Sequence, residues 1–370
     1  MKITCAKNEL LNAIRFVAKA ISSKPQTPLL AGIYLKAEGD TAELHGNNNE
    51  IGLICKIHAE VERPGEITLT GRYFQEVITK LPGEDVTLDY SDAEKIVHIT
   101  SGSADFRLLS MDSRSYPTVK HFEGNLSFTV KDNVLREAVR KTVFACATDP
   151  NRPLFTGVSV QVRTDHVIFA ATNSHRLSVN NLYLTDTTKT INMIVPSRIL
   201  QELLHTLNSE IPIDVKVTCS YNSLSFEFED VFMTSRLLEG NFPDFDRVIP
   251  KEFKTKVHLN TEAFRAAVER VSLIARSSEY NIIKLEFGGN GVVISSTNQE
   301  VGNAKEEVAA QIEGDGIVIS FNAAYLGDAL KIMDSKTITF CLNEPLTAAR
   351  IVEDGAEDFV YVVTPVRTAN

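Results

Sequence analysis

The chain has 370 residues, 43% of them hydrophobic, and a formal net charge of −10 at pH 7. That charge repels a polyanion at long range, and no apolar run approaches the roughly 18 residues a membrane-spanning helix needs. The five cysteines, Cys5, Cys55, Cys146, Cys219 and Cys341, are scattered, odd in number and without a C-x-x-C spacing; they read as small core hydrophobes of a reducing compartment, not as a disulfide frame or zinc site.

In chain order, Ile3-Thr4-Cys5 alternates as a strand and runs into Leu10, Ala13 and Ile14, spaced as one face of a helix over residues 7 to 20. A strand-like run from Ile67 to Thr70 leads into a helix over 72 to 80 and then a strand from Val86 to Tyr90; Arg107-Leu108-Leu109 before Tyr116-Pro117 closes this unit. The same order returns with Phe128-Thr129-Val130 through Leu135, Ala138 and Val139, a helix over 131 to 146. A strand from Val167 to Ala170 enters the compact turn Ala171-Thr172-Asn173-Ser174-His175-Arg176-Leu177. Ile191 to Val195 then leads into a helix over 197 to 208, whose Arg198, Gln201 and Glu202 stand in register with Arg72, Gln75 and Glu76. Ile213 to Cys219 and Leu224 to Phe228 alternate with period two, the mark of antiparallel sheet with one wet face. Arg236-Leu237-Leu238 before Phe242-Pro243 closes the second unit like the first. A third copy opens at Val257-His258-Leu259 and continues through Phe264, Ala267 and Val268, a helix over 261 to 276. It runs on through Ile317 to Phe321, a helix over 322 to 334 that lacks the Arg, and Ile338 to Leu342. The apolar tail Val360 to Arg367 ends it.

The copies are 125 residues apart from Ile3 to Phe128 and 129 from Phe128 to Val257, a whole-domain period too long for a solenoid. Units of roughly 120 residues sit at the commonest domain size and can each bury a core. The expected fold class is α+β, three repeated domains of two helices against antiparallel sheets. Pro, Gly and charges interrupt the pattern near His121 to Asn125 and Ile249 to Lys254, which puts the domains at 1–123, 124–252 and 253–370. No secretory signal opens the chain, so a cytoplasmic protein with no membrane contact is expected.

The charge is unevenly spread. Residues 7 to 20 and 131 to 146 carry a formal +2 each, and the six helical segments together carry +5 against −15 for the rest. Such segregation lets one face attract phosphates while the other stays acidic. Catalytic signatures are missing: no G-x-x-x-x-G-K-[ST], no G-x-G-x-x-G after a strand and no H-E-x-x-H among the eight histidines, so no catalytic, cofactor-binding or metal residues are expected. Ser174 beside His175 offers a nucleophile and base, and a hydrolase centred on them is the rival reading. Adjacent side chains point apart, however, and no G-x-S-x-G elbow surrounds them. Asp244 and Asp246 beside Pro243 fit an acidic turn better than a metal site.

The threefold repeat, the Ala171-Thr172 to His175-Arg176-Leu177 turn, the Gly240-x-Phe242-Pro243-Asp244 to Arg247-Val248 loop and the terminal Tyr361-Val362-Val363-x-Pro365-x-Arg367 together resemble the bacterial DNA polymerase III beta subunit family, the sliding clamps, along the whole chain. The resemblance implies the DNA-clamp fold and a head-to-tail homodimer forming a six-domain ring, with helices lining the hole. It implies a non-catalytic processivity factor of the bacterial cytoplasm and nucleoid, without cofactors, that encircles double-stranded DNA and tethers the replicative polymerase. Further implied partners are the ATP-dependent clamp loader and mismatch-repair and other clamp-motif proteins. By resemblance Lys24, Arg72 and Arg198 face DNA, with Arg136, Arg140 and Arg152 as additional candidates. Phe155, Thr172, Ser174, His175, Arg176, Leu177, Pro243, Arg247, Val248, Val362, Thr364, Pro365 and Arg367 surround the partner-peptide groove. Phe106 and Leu108 meet Leu273 and Ile274 across the dimer contact, with Glu300 and Glu306 facing basic groups. The chain departs from the family at Asn173, Ser174 and Thr364, where an acid, a glycine and a methionine are usual. A multidomain protein-interaction scaffold without DNA is the remaining alternative.

Overall fold

The computed structural model describes residues 1–22, 27–184, 189–276 and 281–367. Six α-helices occur among them: α1 (Lys7–Ala18), α2 (Gly71–Lys80), α3 (Asp132–Val143), α4 (Ser197–Thr206), α5 (Thr261–Ala275) and α6 (Ala323–Ile332). Most end two or three residues before the apolar spacing suggests. Leu207 and Met333 keep the helical interval yet are extended, and each is buried. Spacing alone cannot tell a last helical residue from a following one tucked under the helix.

The described residues form two compact units, residues 1–132 with 209–237, and residues 133–208 with 238–370. In unit 1 a five-stranded antiparallel sheet runs Glu60–Arg63, Lys2–Ala6, Asp85–Ser91, Ile96–Ser101, Ala104–Leu109. An eight-stranded sheet runs Leu126–Lys131, Asp214–Cys219, Ser223–Phe228, Val231–Arg236, Ile51–His58, Thr41–Asn47, Gly32–Glu38, Gly65–Thr70. Leu10, Ile14 and Val17 of α1 and Phe74 and Ile78 of α2 are buried in the core with Ile3, Leu35 and Leu44. α1 packs so close that a Cβ on Gly46 would lie 2.0 Å from the Val17 carbonyl oxygen, so only glycine fits there.

Unit 2 holds one twelve-stranded sheet. Its first half runs Ile191–Pro196, Gly157–Val162, His166–Thr172, Arg176–Tyr183, Phe359–Val363, Ala349–Glu353, and its second Thr337–Leu342, Thr255–Asn260, Gly302–Glu313, Gly291–Asn298, Ile282–Gly288, Ile317–Asn322. Phe264 of α5 and Leu326 of α6 join Phe321, Phe340, Phe359 and Tyr361 in its main core. The middle sequence copy is thus divided: its opening strand and its closing strands complete the sheet of the first copy, and the four strands between them share a sheet with the third. At both joints strands pair in register across copies, Ile51 with Ser235 and Arg176 with Val363.

His45 is a buried titratable group of unit 1. It is 6% exposed, neither ring nitrogen has a hydrogen-bond partner, and its ring meets Tyr34 edge-on at 5.2 Å while Tyr116 stacks on Tyr34. Burial lowers its pKa, against the pull of the Glu43 carboxylate 3.6 Å from Nε2. The folded state resists the proton that the unfolded chain accepts near pH 6.5, so stability falls as pH drops through that value. His45→Phe keeps the ring contact without the titration. Calorimetry between about pH 7.5 and about pH 5.5 should show a smaller loss of melting temperature in this variant; an unchanged pH slope would exonerate His45.

Candidate functional site

In unit 2 the turn from Thr172 to Arg176 is closed by its own side chains. Asn173 Oδ1 accepts from the backbone N–H groups of His175 (3.0 Å) and Arg176 (3.1 Å), and Thr172 Oγ1 donates to the Arg176 carbonyl (2.6 Å). Asparagine suits this role because its short amide caps nearby N–H groups. Ser174 takes the left-handed conformation, φ 76°, which favours glycine. The strand Arg176–Tyr183 that follows is flanked by His166–Thr172 and Phe359–Val363.

Arg176 ties the turn down. Its guanidinium donates to Asp328 Oδ2 (2.7 Å) and the Phe144 carbonyl (2.6 Å), and it lies 4.8 Å from the Tyr325 ring centroid. His175 stacks parallel to the same ring at 6.2 Å. Thr364 then crosses back, its N–H and hydroxyl both donating to the His175 carbonyl (2.9 and 3.0 Å).

Between this turn, the 242–248 loop and the end of the last strand lies a mainly apolar groove of about 220 Å³. Phe155, Thr172, Ser174, His175, Arg176, Leu177, Pro243, Val248, Val362 and Thr364 line it. Arg247 is exposed and pairs with Asp244 (2.7 Å), while Pro365 and Arg367 follow the strand without lining the groove. Sequence reasoning missed four lining residues, Phe242, Asp244, Phe245 and Ala348. The aromatic pair had a signal, since Phe242 stacks edge-on between Phe155 (6.1 Å) and Phe245 (6.4 Å) from within the loop already singled out. Ala348 had none.

The groove can bury apolar anchors and orient them with a few polar atoms, but it cannot run hydrolysis. Ser174 Oγ accepts from Arg152 Nη1 (3.1 Å), and a guanidinium cannot remove a proton. Among the described residues no group of three His, Cys, Asp or Glu could hold a metal ion, and no helix is long and apolar enough to cross a membrane.

Elsewhere in unit 2, Lys141 of α3 reaches Glu353 Oε1 (2.9 Å), both side chains under 10% exposed. Glu353 also accepts from the backbone N–H groups of Asp334 and Ser335. Burial alone would raise its pKa, but the Lys141 ammonium and these N–H groups hold it below the ordinary carboxylate value. The same balance, burial against Glu353, leaves the Lys141 pKa raised, so both groups are charged at neutral pH.

The other expected site residues are scattered. Lys24 lies outside the described residues. Arg72 on α2, Arg136 on α3 and Arg198 on α4 are exposed, with Arg72 Nε donating to Glu76 (3.0 Å). Arg140 is half-buried, its guanidinium shared between Glu137 and Asp334, an arrangement that spends its charge inside unit 2. Arg152 lies just before the short turn Pro153–Thr156 and donates to Ser174. Phe106 and Leu108 lie on the edge strand Ala104–Leu109, and Leu273 is exposed on α5 beside half-buried Ile274. Glu300 is exposed, whereas Glu306 pairs with Arg270 of the same chain.

Three family models match in succession: the DNA polymerase III beta subunit N-terminal domain at 1–120, central domain at 129–244 and C-terminal domain at 246–367. The beta sliding clamp of Bacillus subtilis is 33% identical over the whole of both chains, and that of Staphylococcus aureus 32%. The crystal structure of the Bacillus subtilis sliding clamp covers both chains fully with a TM-score of 0.95, and that of the Pseudomonas aeruginosa clamp bound to griselimycin with 0.94 at 27% identity. With fold, length and all three domains in agreement, this chain belongs to the DNA polymerase III beta subunit family, the bacterial sliding clamps.

Proposed function

We propose that two copies of this chain close head to tail around duplex DNA, each contributing three clamp domains (1–123, 124–252 and 253–370), and that the groove of unit 2 holds short peptides of the replicative polymerase. The protein is a sliding clamp, a non-catalytic processivity factor. One observation carries the ring. At each internal joint the closing strand of one copy pairs with a strand of the copy before it. The first copy's closing strand, Ala104–Leu109, is a sheet edge, and residues 302–308 of the third copy's strand pair on one side only, with Gly291–Asn298, among the described residues. A second chain supplies both missing neighbours, a heterologous contact that closes with two copies.

Lys24, Arg72, Arg198 and Arg136 would face the DNA. Weak positive charge is enough there, because topology holds the duplex and each phosphate contact must break as the ring moves. The clamp loader and mismatch-repair and other clamp-motif proteins would compete for the same apolar groove, each burying hydrophobic anchors in it.

The edge strand exposes Phe106 and Leu109. Phe106→Asp should therefore convert the dimer to monomers in sedimentation equilibrium and remove stimulation of primer extension. A dimer of undiminished affinity would contradict the edge-strand interface.

A further inference from the structure

The joint in unit 1 repeats the construction of the groove-bearing joint in unit 2. Gly52 faces Thr234 across the strands where Leu177 faces Val362. Asn48 Oδ1 accepts from the backbone N–H groups of Glu50 (3.0 Å) and Ile51 (2.8 Å), as Asn173 does in its turn. The next residue is left-handed in both, Asn49 at φ 71° and Ser174 at φ 76°. An apolar cluster backs each joint: Ile54, Val119 and Phe232 in unit 1, Val179, Phe245 and Val360 in unit 2. Unit 1 accordingly has its own groove, of about 230 Å³.

Its walls have the opposite chemistry. Where unit 2 presents Leu177, Val362 and Ala348, the same strand positions in unit 1 carry Gly52, Thr234 and Ser223. A Cβ at Gly52 would sit 2.8 Å from the Val119 methyls, so no larger side chain fits without a shift. At the rim, Lys120 and Arg236 are exposed and have no ion pair or side-chain hydrogen bond among the described residues. The hydroxyls of Ser223 and Thr234 donate to Asn222 Oδ1 and the Leu224 carbonyl, which leaves their oxygens able to accept.

We propose that this groove is a second peptide site, for an extended polar segment of a partner protein whose acidic side chain is held between Lys120 and Arg236. The choice of a peptide rests on the peptide reading of the apolar groove, since the two share turn, strand pairing and backing cluster. A nucleic-acid strand suits it less well: two cations match one or two carboxylates better than a run of phosphates.

The test uses the full-length dimer and two fluorescent peptides of about six residues each, both bearing a photo-crosslinker: one of Ser and Asp only, the other with two Leu and a Phe. The acidic probe should crosslink to 118–122 and 234–236. Its affinity should fall about tenfold or more in Arg236→Glu and in Lys120→Glu, and stay constant in Val248→Glu. The apolar probe should show the reverse pattern. Both cations are exposed, and matched melting temperatures would confirm that their reversal leaves the fold intact. The proposal falls if the acidic probe crosslinks in the 172–177 or 242–248 segments, ignores both charge reversals, or is displaced by a single-stranded oligonucleotide that crosslinks there itself. Failure of the apolar probe to respond to Val248→Glu would instead overturn the reading of the first groove.

Discussion

Val248→Glu should weaken binding of an apolar-anchored partner peptide by about thirtyfold, or ~2 kcal/mol, and abolish clamp-stimulated synthesis while the dimer persists. The position is chosen for its geometry. Val248 lines the groove yet is 57% exposed, so a carboxylate there stays solvated in the free protein and loses its water only when a peptide covers it. Leu177 and Val362, each 4% exposed, would confound the result by burying charge in the sheet itself. Titration of the labelled peptide with dimer mass measured in parallel decides the matter. Unchanged affinity would mean that partner anchors do not enter between the Phe242–Val248 loop and the last strand.

The second large effect concerns the buried ion pair of unit 2. Lys141→Met should cost about 3–5 kcal/mol at neutral pH, because it strands the Glu353 carboxylate in a buried site. Glu353 retains two backbone N–H donors, which soften the loss without replacing the ammonium. The sign with pH follows from its depressed pKa. The ion pair contributes stability above the unfolded carboxyl value of about 4.3, and that stability is lost as pH falls through the lower folded value. In the variant the protonated acid is no longer a buried charge, so the gap between the two proteins should narrow below about pH 5. Denaturant melts at several pH values read this directly; a constant gap would show that the loss is packing, including the Lys141 contact 5.2 Å from the Phe359 ring centroid, and not charge.

The repeat was legible in the sequence because helix and strand periodicities are local. Leu10, Ala13 and Ile14 or Phe264, Ala267 and Val268 reveal a buried face without reference to anything distant. The pairing of Ile51 with Ser235 was not legible, since a strand edge looks the same in sequence whether it is free or joined to a residue far along the chain. For that reason three copies of similar length became two compact units. The groove was half legible. Its turn and loop carry Asn, Pro and aromatic residues that mark themselves, whereas Ala348 arrives only through the strand pairing of Ala349 with Val363. The partners of the basic residues were not legible either: Arg140 pairs with Glu137 and with the distant Asp334, and Arg152 donates to Ser174.

Topological retention on DNA tests the central claim most directly. Protein loaded onto closed circular duplex should remain through a wash of about 1 M salt, which dissociates contacts made only to phosphate, and should leave promptly once the circle is cut. Equal loss from circular and linear DNA would contradict a closed ring and reduce the helices to an ordinary basic surface.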